Sequence, residues 1–231
     1  MKDVNPTRVN SENRSRPIRV WDLPTRLFHW TLVIQVIFSF VTGKIGGNAM
    51  QLHVWNGFGI LALLLFRLAW GFAGSRQSRF AAFVKGPATV FRYAATLLQR
   101  PGPPPYPGHN PLGGWSIMAM LSVLLLQAGT GLFANDDIVT EGPLYGWVGK
   151  ATSDWITGIH KLNPEIIIAL VSLHLLAILF YYFFKRENLV WSMITGIKQW
   201  SGPPLEPAEN RLWTALVIIA LTGLAVYVLV R

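Results

Sequence analysis

Cysteine is absent from the 231 residues, which excludes disulfides, thiolate iron–sulfur ligation, cysteine-based zinc sites and the C-x-x-C-H attachment of haem. Charge is scarce as well. Asp, Glu, Lys and Arg make up 13% of the chain, about half of the roughly 25% usual in a soluble domain. Residues 1–20 are polar and basic and lack the apolar stretch and small-residue cleavage site of a secretory signal, so no cleavable signal is expected. The chain is instead rich in apolar residues: 52% are hydrophobic, including 10 Trp and 13 Phe.

These apolar residues fall in runs. Membrane spans are predicted at about 23–42, 51–70, 115–134, 158–184 and 212–230, each close to the ~20 residues that cross a hydrocarbon core of about 30 Å. Asp22 suits an N-cap for the first span, Pro24 its first turn and Gly43 its end. The fold class is therefore all-α, an integral membrane helical bundle. Pro164 is expected to kink the fourth span or mark a boundary in it, because it cannot donate to the carbonyl of His160. Gln127, Gly129 and Gly131 in the third span would let a neighbour or a planar ligand approach closely.

The connections alternate in charge. Residues 1–20 read as a flexible basic tail on the membrane surface. The connection 71–112 is basic, with an interfacial helix expected over 88–99 and an extended Pro-rich linker at 101–108. A short amphipathic helix is expected within 188–200. The connection 135–157 carries Asp136, Asp137, Glu141 and Asp154 against one lysine. By the positive-inside rule the N-terminus is cytoplasmic and the C-terminus outside. The net charge of +9 is thus a matter of topology, and nucleic acid is not expected as a partner.

Five histidines remain to be explained. An imidazole is costly in hydrocarbon, so a histidine within a span marks a functional site. His160 and His174 lie fourteen residues apart on one span, which separates them by about 21 Å along one helix face. His29 begins the first span at the inner side, and His53 begins the second at the outer side. Depth therefore pairs His53 with His160 and His29 with His174. Two nitrogens per level, with apolar surroundings and no carboxylate, suit a b-type haem, whereas zinc takes four ligands or three and a water. Arg67, fourteen residues after His53, shares its helix face at the inner level; a guanidinium there either pairs with haem propionates or snorkels to the interface. His109, in the Pro-rich connection, reads as a solvated loop residue.

The segment V-W-D-L-P-T-R-L-F-H-W at 20–30, L-H-V-W-N-G-F-G-I at 52–60, and two histidines fourteen apart in the fourth span together resemble the bacterial cytochrome b561 family. That group includes the nickel–iron hydrogenase cytochrome b subunit and related quinone-linked di-haem cytochromes. The resemblance covers about residues 20–200. It implies a four-helix core holding two haem b groups, with axial ligands falling on His29, His53, His160 and His174. The longer basic tail and the fifth span depart from the pattern.

Residues 1–20 are accordingly taken as a cytoplasmic tail, 21–200 as a di-haem domain and 201–231 as a linker with a fifth transmembrane helix. The expected protein sits in the bacterial inner membrane. It passes electrons across the bilayer between the quinone pool and a redox partner, with hydrogenase, a c-type cytochrome or a dehydrogenase as candidates. Quinone is then a possible substrate. One alternative is a superoxide-oxidising, quinone-reducing enzyme with the same haems. Another is a non-haem metal or proton pathway through the four histidines.

Overall fold

The computed structural model describes residues 15–99, 105–206, 209 and 211–231. Five helices are long and apolar enough to cross a membrane: α1 (Leu23–Ile45), α2 (Met50–Ala73), α5 (Pro111–Gly131), α6 (Lys150–Phe184) and α8 (Leu212–Leu229). The shorter α3 (Phe80–Phe83), α4 (Pro87–Thr96) and α7 (Leu189–Thr195) lie in the connections. A two-stranded antiparallel ladder pairs β1 (Arg16–Arg19) with β2 (Ile197–Trp200), Arg16 opposite Trp200 and Arg19 opposite Ile197.

Local chemistry explains the helix starts. Asp22 caps α1 by accepting from Thr25 N at 2.7 Å, and Asn110 caps α5 by accepting from Gly113 N at 2.8 Å, each followed by a proline in the first turn. α6 begins at Lys150 and runs 35 residues without interruption through Pro164, about 52 Å at the usual rise. Its first turns therefore project beyond an apolar core, and Pro164 marks no boundary.

The bundle is two hairpins with a fifth helix behind. α1 packs on α2, α5 on α6, and α2 joins the halves by packing on both α5 and α8. α6 packs on α5 and makes no extensive contact with α1 or α2, so it faces them across a slot. Phe28, Leu64, Phe66, Trp70, Leu121 and Ala215 form the main buried cluster. In a bilayer such packing gains contact and fit rather than escape from water, since lipid is as apolar as leucine.

One end of the bundle carries the basic connections, and the other the acidic loop. At the basic end the chain folds into a cap. Asp22 is buried and its carboxylate accepts from the hydroxyls of Ser75 and Ser78, while Ser78 also bonds Thr25 at 2.7 Å. Trp70 is fully buried and donates to Thr25 Oγ1 at 3.1 Å, so it is a core residue and not an interfacial one.

The tail reading changes for residues 15–20, in which Arg16–Arg19 form a strand and not loose chain. Val20 N bonds the carbonyl of Gly196 at 2.8 Å. Gly196 has φ 81°, and a Cβ there would meet Trp21 O at 2.6 Å, so only glycine fits. Residues 1–14, and 101–104 of the Pro-rich linker, lie outside the described residues. Region 188–200 is half helix and half strand. His109 is also corrected. Its ring packs 4.5 Å from that of Trp21 and 5.2 Å from that of Phe83, because the linker folds back under the cap.

Candidate histidine-pair site

At the acidic end His53, in the first turn of α2, meets His160 of α6. Their ring centroids are 6.2 Å apart with planes crossed at 88°. Each Nδ1 has a partner that can only accept: Ser39 O at 3.0 Å for His53 and Gln127 O at 3.1 Å for His160. A carbonyl acceptor favours the proton on Nδ1, the tautomer in which Nε2 can serve as a metal ligand. On the α6 side Gln127 Nε2 also lies 3.2 Å from His160 Nε2, so in this structure that nitrogen faces an amide donor.

Two metal–imidazole bonds of about 2 Å, plus two ring radii of about 1.1 Å, would put coaxial rings about 6.3 Å apart. The observed centroid separation is of that size. Space is made by glycine. A Cβ on Gly43 would lie 3.2 Å from His53 Cε1, and one on Gly131 would lie 3.1 Å from His160 Cε1.

The two sides of this site are built alike. Asn56, three residues after His53, donates to Ser39 Oγ and to Gln35 O, both at 2.7 Å. Asn163, three residues after His160, donates to Gln127 Oε1 at 2.8 Å and to Val123 O at 3.0 Å. Ser39 and Gln127 are also the residues whose carbonyls take the imidazole protons, and Gln35 and Val123 each stand four positions earlier. Three positions after Ser39 and Gln127 come Thr42 and Thr130, whose hydroxyls lie 3.4 and 3.2 Å from the respective Nδ1 atoms. The next positions are Gly43 and Gly131. The hairpins α1–α2 and α5–α6 thus carry the same device, S-x-x-T-G facing H-x-x-N and Q-x-x-T-G facing H-x-x-N.

Pro164 fits into this scheme. The carbonyl of His160, which its missing N–H would have served, accepts from Gln127 Nε2 at 3.1 Å. The freed backbone group is satisfied from the neighbouring helix.

The basic end carries His29 of α1 and His174 of α6. His29 Nδ1 is buried with no partner among the described residues. Arg67 is 4% exposed, so it does not snorkel. It lies over the Phe80 ring at 4.9 Å, and its Nη1 is buried and unpartnered. A buried guanidinium that makes no ion pair among the described residues is well suited to a carboxylate. Orphaned donors and a lone imidazole nitrogen fit a haem edge with propionates at this level.

Of the residues the sequence singles out, His53, His160, Gln127 and Gly131 are brought together at one site, while His29, His174 and Arg67 lie toward the other end. Sequence reasoning missed Ser39, Thr42, Gly43, Asn56, Thr130 and Asn163. The signal was present as the duplicated spacing, which becomes visible only when spans one and two are laid on spans three and four.

These features define a class, a multi-span helical membrane protein with a histidine pair at one end of its bundle. Within that class the chain belongs to the prokaryotic cytochrome b561 family, which matches residues 20–196. It is similar to the probable Ni/Fe-hydrogenase B-type cytochrome subunit of Rhizobium leguminosarum bv. viciae, 25% identical over 78% of this chain and 87% of that one. The corresponding Escherichia coli K12 hydrogenase 1 subunit is 24% identical over 78% and 89%, and that of Rhodobacter capsulatus 22% over 88% and 90%. No solved structure matches the chain.

Proposed function

We propose that this protein is a di-haem b cytochrome that moves electrons across the membrane, with His53 and His160 as axial ligands of an outer haem and His29 and His174 as those of an inner one. The observation that carries this reading is the outer pair: rings 6.2 Å apart, each with its Nδ1 held by a backbone carbonyl of the facing helix. Among the described residues no three or more His, Cys, Asp or Glu side chains gather as a bare-ion site, which favours a two-ligand macrocycle over zinc-type ligation.

Bound haem would supply one-electron cycling of its iron. The chain's own residues hold the outer imidazoles by their Nδ1 atoms, and the fourteen-residue rise along α6 separates the two levels by about 21 Å. With both axial positions taken by protein, oxygen activation is disfavoured and electron transfer is what remains. Arg67 would receive propionates of the inner haem. Residues 21–200 would hold both haems, with 201–231 as linker and fifth helix.

The relatives' names support a nickel–iron hydrogenase as the redox partner, and the quinone pool would be the other end of the path. Basic connections place the N-terminus in the cytoplasm and the C-terminus outside. Purified protein should give about two b haems per chain by pyridine haemochrome. His174→Ala should lose the inner haem alone, and His53→Ala the outer alone. Full haem content in either variant, or colourless wild-type protein, would overturn the reading.

A further inference from the structure

The duplicated device around the acidic-end pair has a consequence for that pair's orientation. Each imidazole is held by three groups of the facing helix: a carbonyl on Nδ1, a threonine hydroxyl beside it, and a glycine against Cε1. Each facing helix is in turn fixed by an asparagine from the histidine's own helix, three residues on. Asn56 holds α1 at Gln35 and Ser39; Asn163 holds α5 at Val123 and Gln127. Three residues is nearly one turn, so histidine and asparagine stand on the same helix face. Each asparagine therefore locks the very residue that orients its histidine.

We infer that Asn56 and Asn163 are a matched pair of positioning residues, which hold the two outer imidazole planes crossed at the observed 88°. This rests on the assignment of His53 and His160 as ligands of one haem. The physical argument is one of rotation. An imidazole coordinated through Nε2 can still turn about its iron–nitrogen bond, and only the direction of its Nδ1–H bond fixes that angle. Nδ1 aims at Ser39 O on one side and Gln127 O on the other. A shift of either carbonyl turns its ring.

The asparagines are what prevent that shift. Each carboxamide makes two hydrogen bonds to one helix, and within an apolar span alternative partners for those backbone and side-chain oxygens are few. The crossing angle follows from the fold, because α1–α2 and α5–α6 present the same device from different directions around the slot. Gly43 and Gly131 admit the rings, and Asn56 and Asn163 set their angle.

Ligand-plane angle has a spectroscopic signature that mere folding damage does not reproduce. Ferric bis-imidazole centres with crossed planes give a single low-field electron paramagnetic resonance line, while near-parallel planes give a rhombic three-line spectrum. The test uses the full-length holoprotein in detergent, comparing wild type with Asn56→Leu and Asn163→Leu, near-isosteric changes that remove both bonds. The expected result is an unchanged haem-to-protein ratio, with the outer centre's low-field line moved to higher field and its midpoint potential shifted, and the inner centre untouched. Should either leucine variant fail to accumulate, Ser39→Ala, which removes only the hydroxyl that Asn56 holds, is read in the same way.

An outer signal and potential identical to wild type in variants that keep both haems would overturn the inference while leaving the ligand assignment standing. Full haem retention in His53→Ala would overturn the assignment itself. Restoration of the wild-type spectrum by Ser39→Thr, but not by Ser39→Ala, would identify the hydroxyl contact as the cause.

Discussion

Gly131 and Gly129 are two positions apart on α5 but face different surroundings. A methyl group on Gly131 would come within 3.1 Å of His160 Cε1, whereas one on Gly129 would have nothing within 4 Å. Gly129→Ala should therefore be silent, or slightly stabilising through helix propensity, by up to about 1 kcal/mol. Gly131→Ala should push the imidazole and weaken the acidic-end centre, read as partial loss of one haem on gel filtration. Equal behaviour of the two variants would contradict the packing described. His109 supplies a second residue-scale prediction. Burial between Trp21 and Phe83, reinforced by the nearby Arg67 charge, pushes its imidazole down to about 3. In the unfolded chain it titrates near ~6.5. Its contribution is thus intact above that pH and is lost as pH falls toward 3, because the unfolded state takes up the proton first. Thermal melts at pH 7 and 4.5 should show a smaller acid-induced drop for His109→Phe than for the wild type.

Helix α6 shows how an element can carry a proline inside a membrane. Its freed carbonyl at His160 is served by Gln127 of α5, so the two residues are energetically coupled although they lie on different helices. Gln127→Leu alone leaves a buried acceptor without a donor, at a cost of about 1–3 kcal/mol. Pro164→Ala restores the intrahelical N–H, so it should be far more favourable in the Gln127→Leu background than in the wild type. A double-mutant cycle on denaturation in detergent measures this, with an expected coupling above about 0.5 kcal/mol; additivity would show that the carbonyl finds another donor. The same element shows what the sequence could tell and what it could not. The spans, the depth of each histidine and the pairing of levels follow from hydropathy and helical rise, both local properties. The fate of Pro164, the strand at Arg16–Arg19 and the burial of His109 each depend on a partner far along the chain, namely Gln127, Ile197–Trp200 and Trp21. The H-x-x-N and T-G spacings were present in the letters, but two matches of such short patterns carry little weight until the helices that bear them are seen to face each other.

As a whole, the molecule is two similar hairpins around a slot, with α8 packed against the back of α2. The hairpins share their device only at the acidic end. Among the described residues the basic end has no counterpart to the asparagine clamps, and has instead a His29 Nδ1 and an Arg67 Nη1 that find no partner there, beneath a cap built from β1, β2 and the residues around Asp22. Such asymmetry suits a protein that meets different partners on its two sides, and makes orientation the decisive property. The absence of cysteine provides a direct way to test it. Val139, at the tip of the acidic loop, is 87% exposed, and Leu98, in the basic connection, is 81% exposed. Neither makes a contact that a cysteine would break, so Val139→Cys and Leu98→Cys should each leave fold and haem content unchanged. A membrane-impermeant maleimide applied to intact spheroplasts should label Val139→Cys at once and Leu98→Cys only after permeabilisation. The reverse pattern would place the basic connections outside, contrary to the positive-inside rule, and would exchange the inner and outer assignments of the two histidine pairs without altering how either is built.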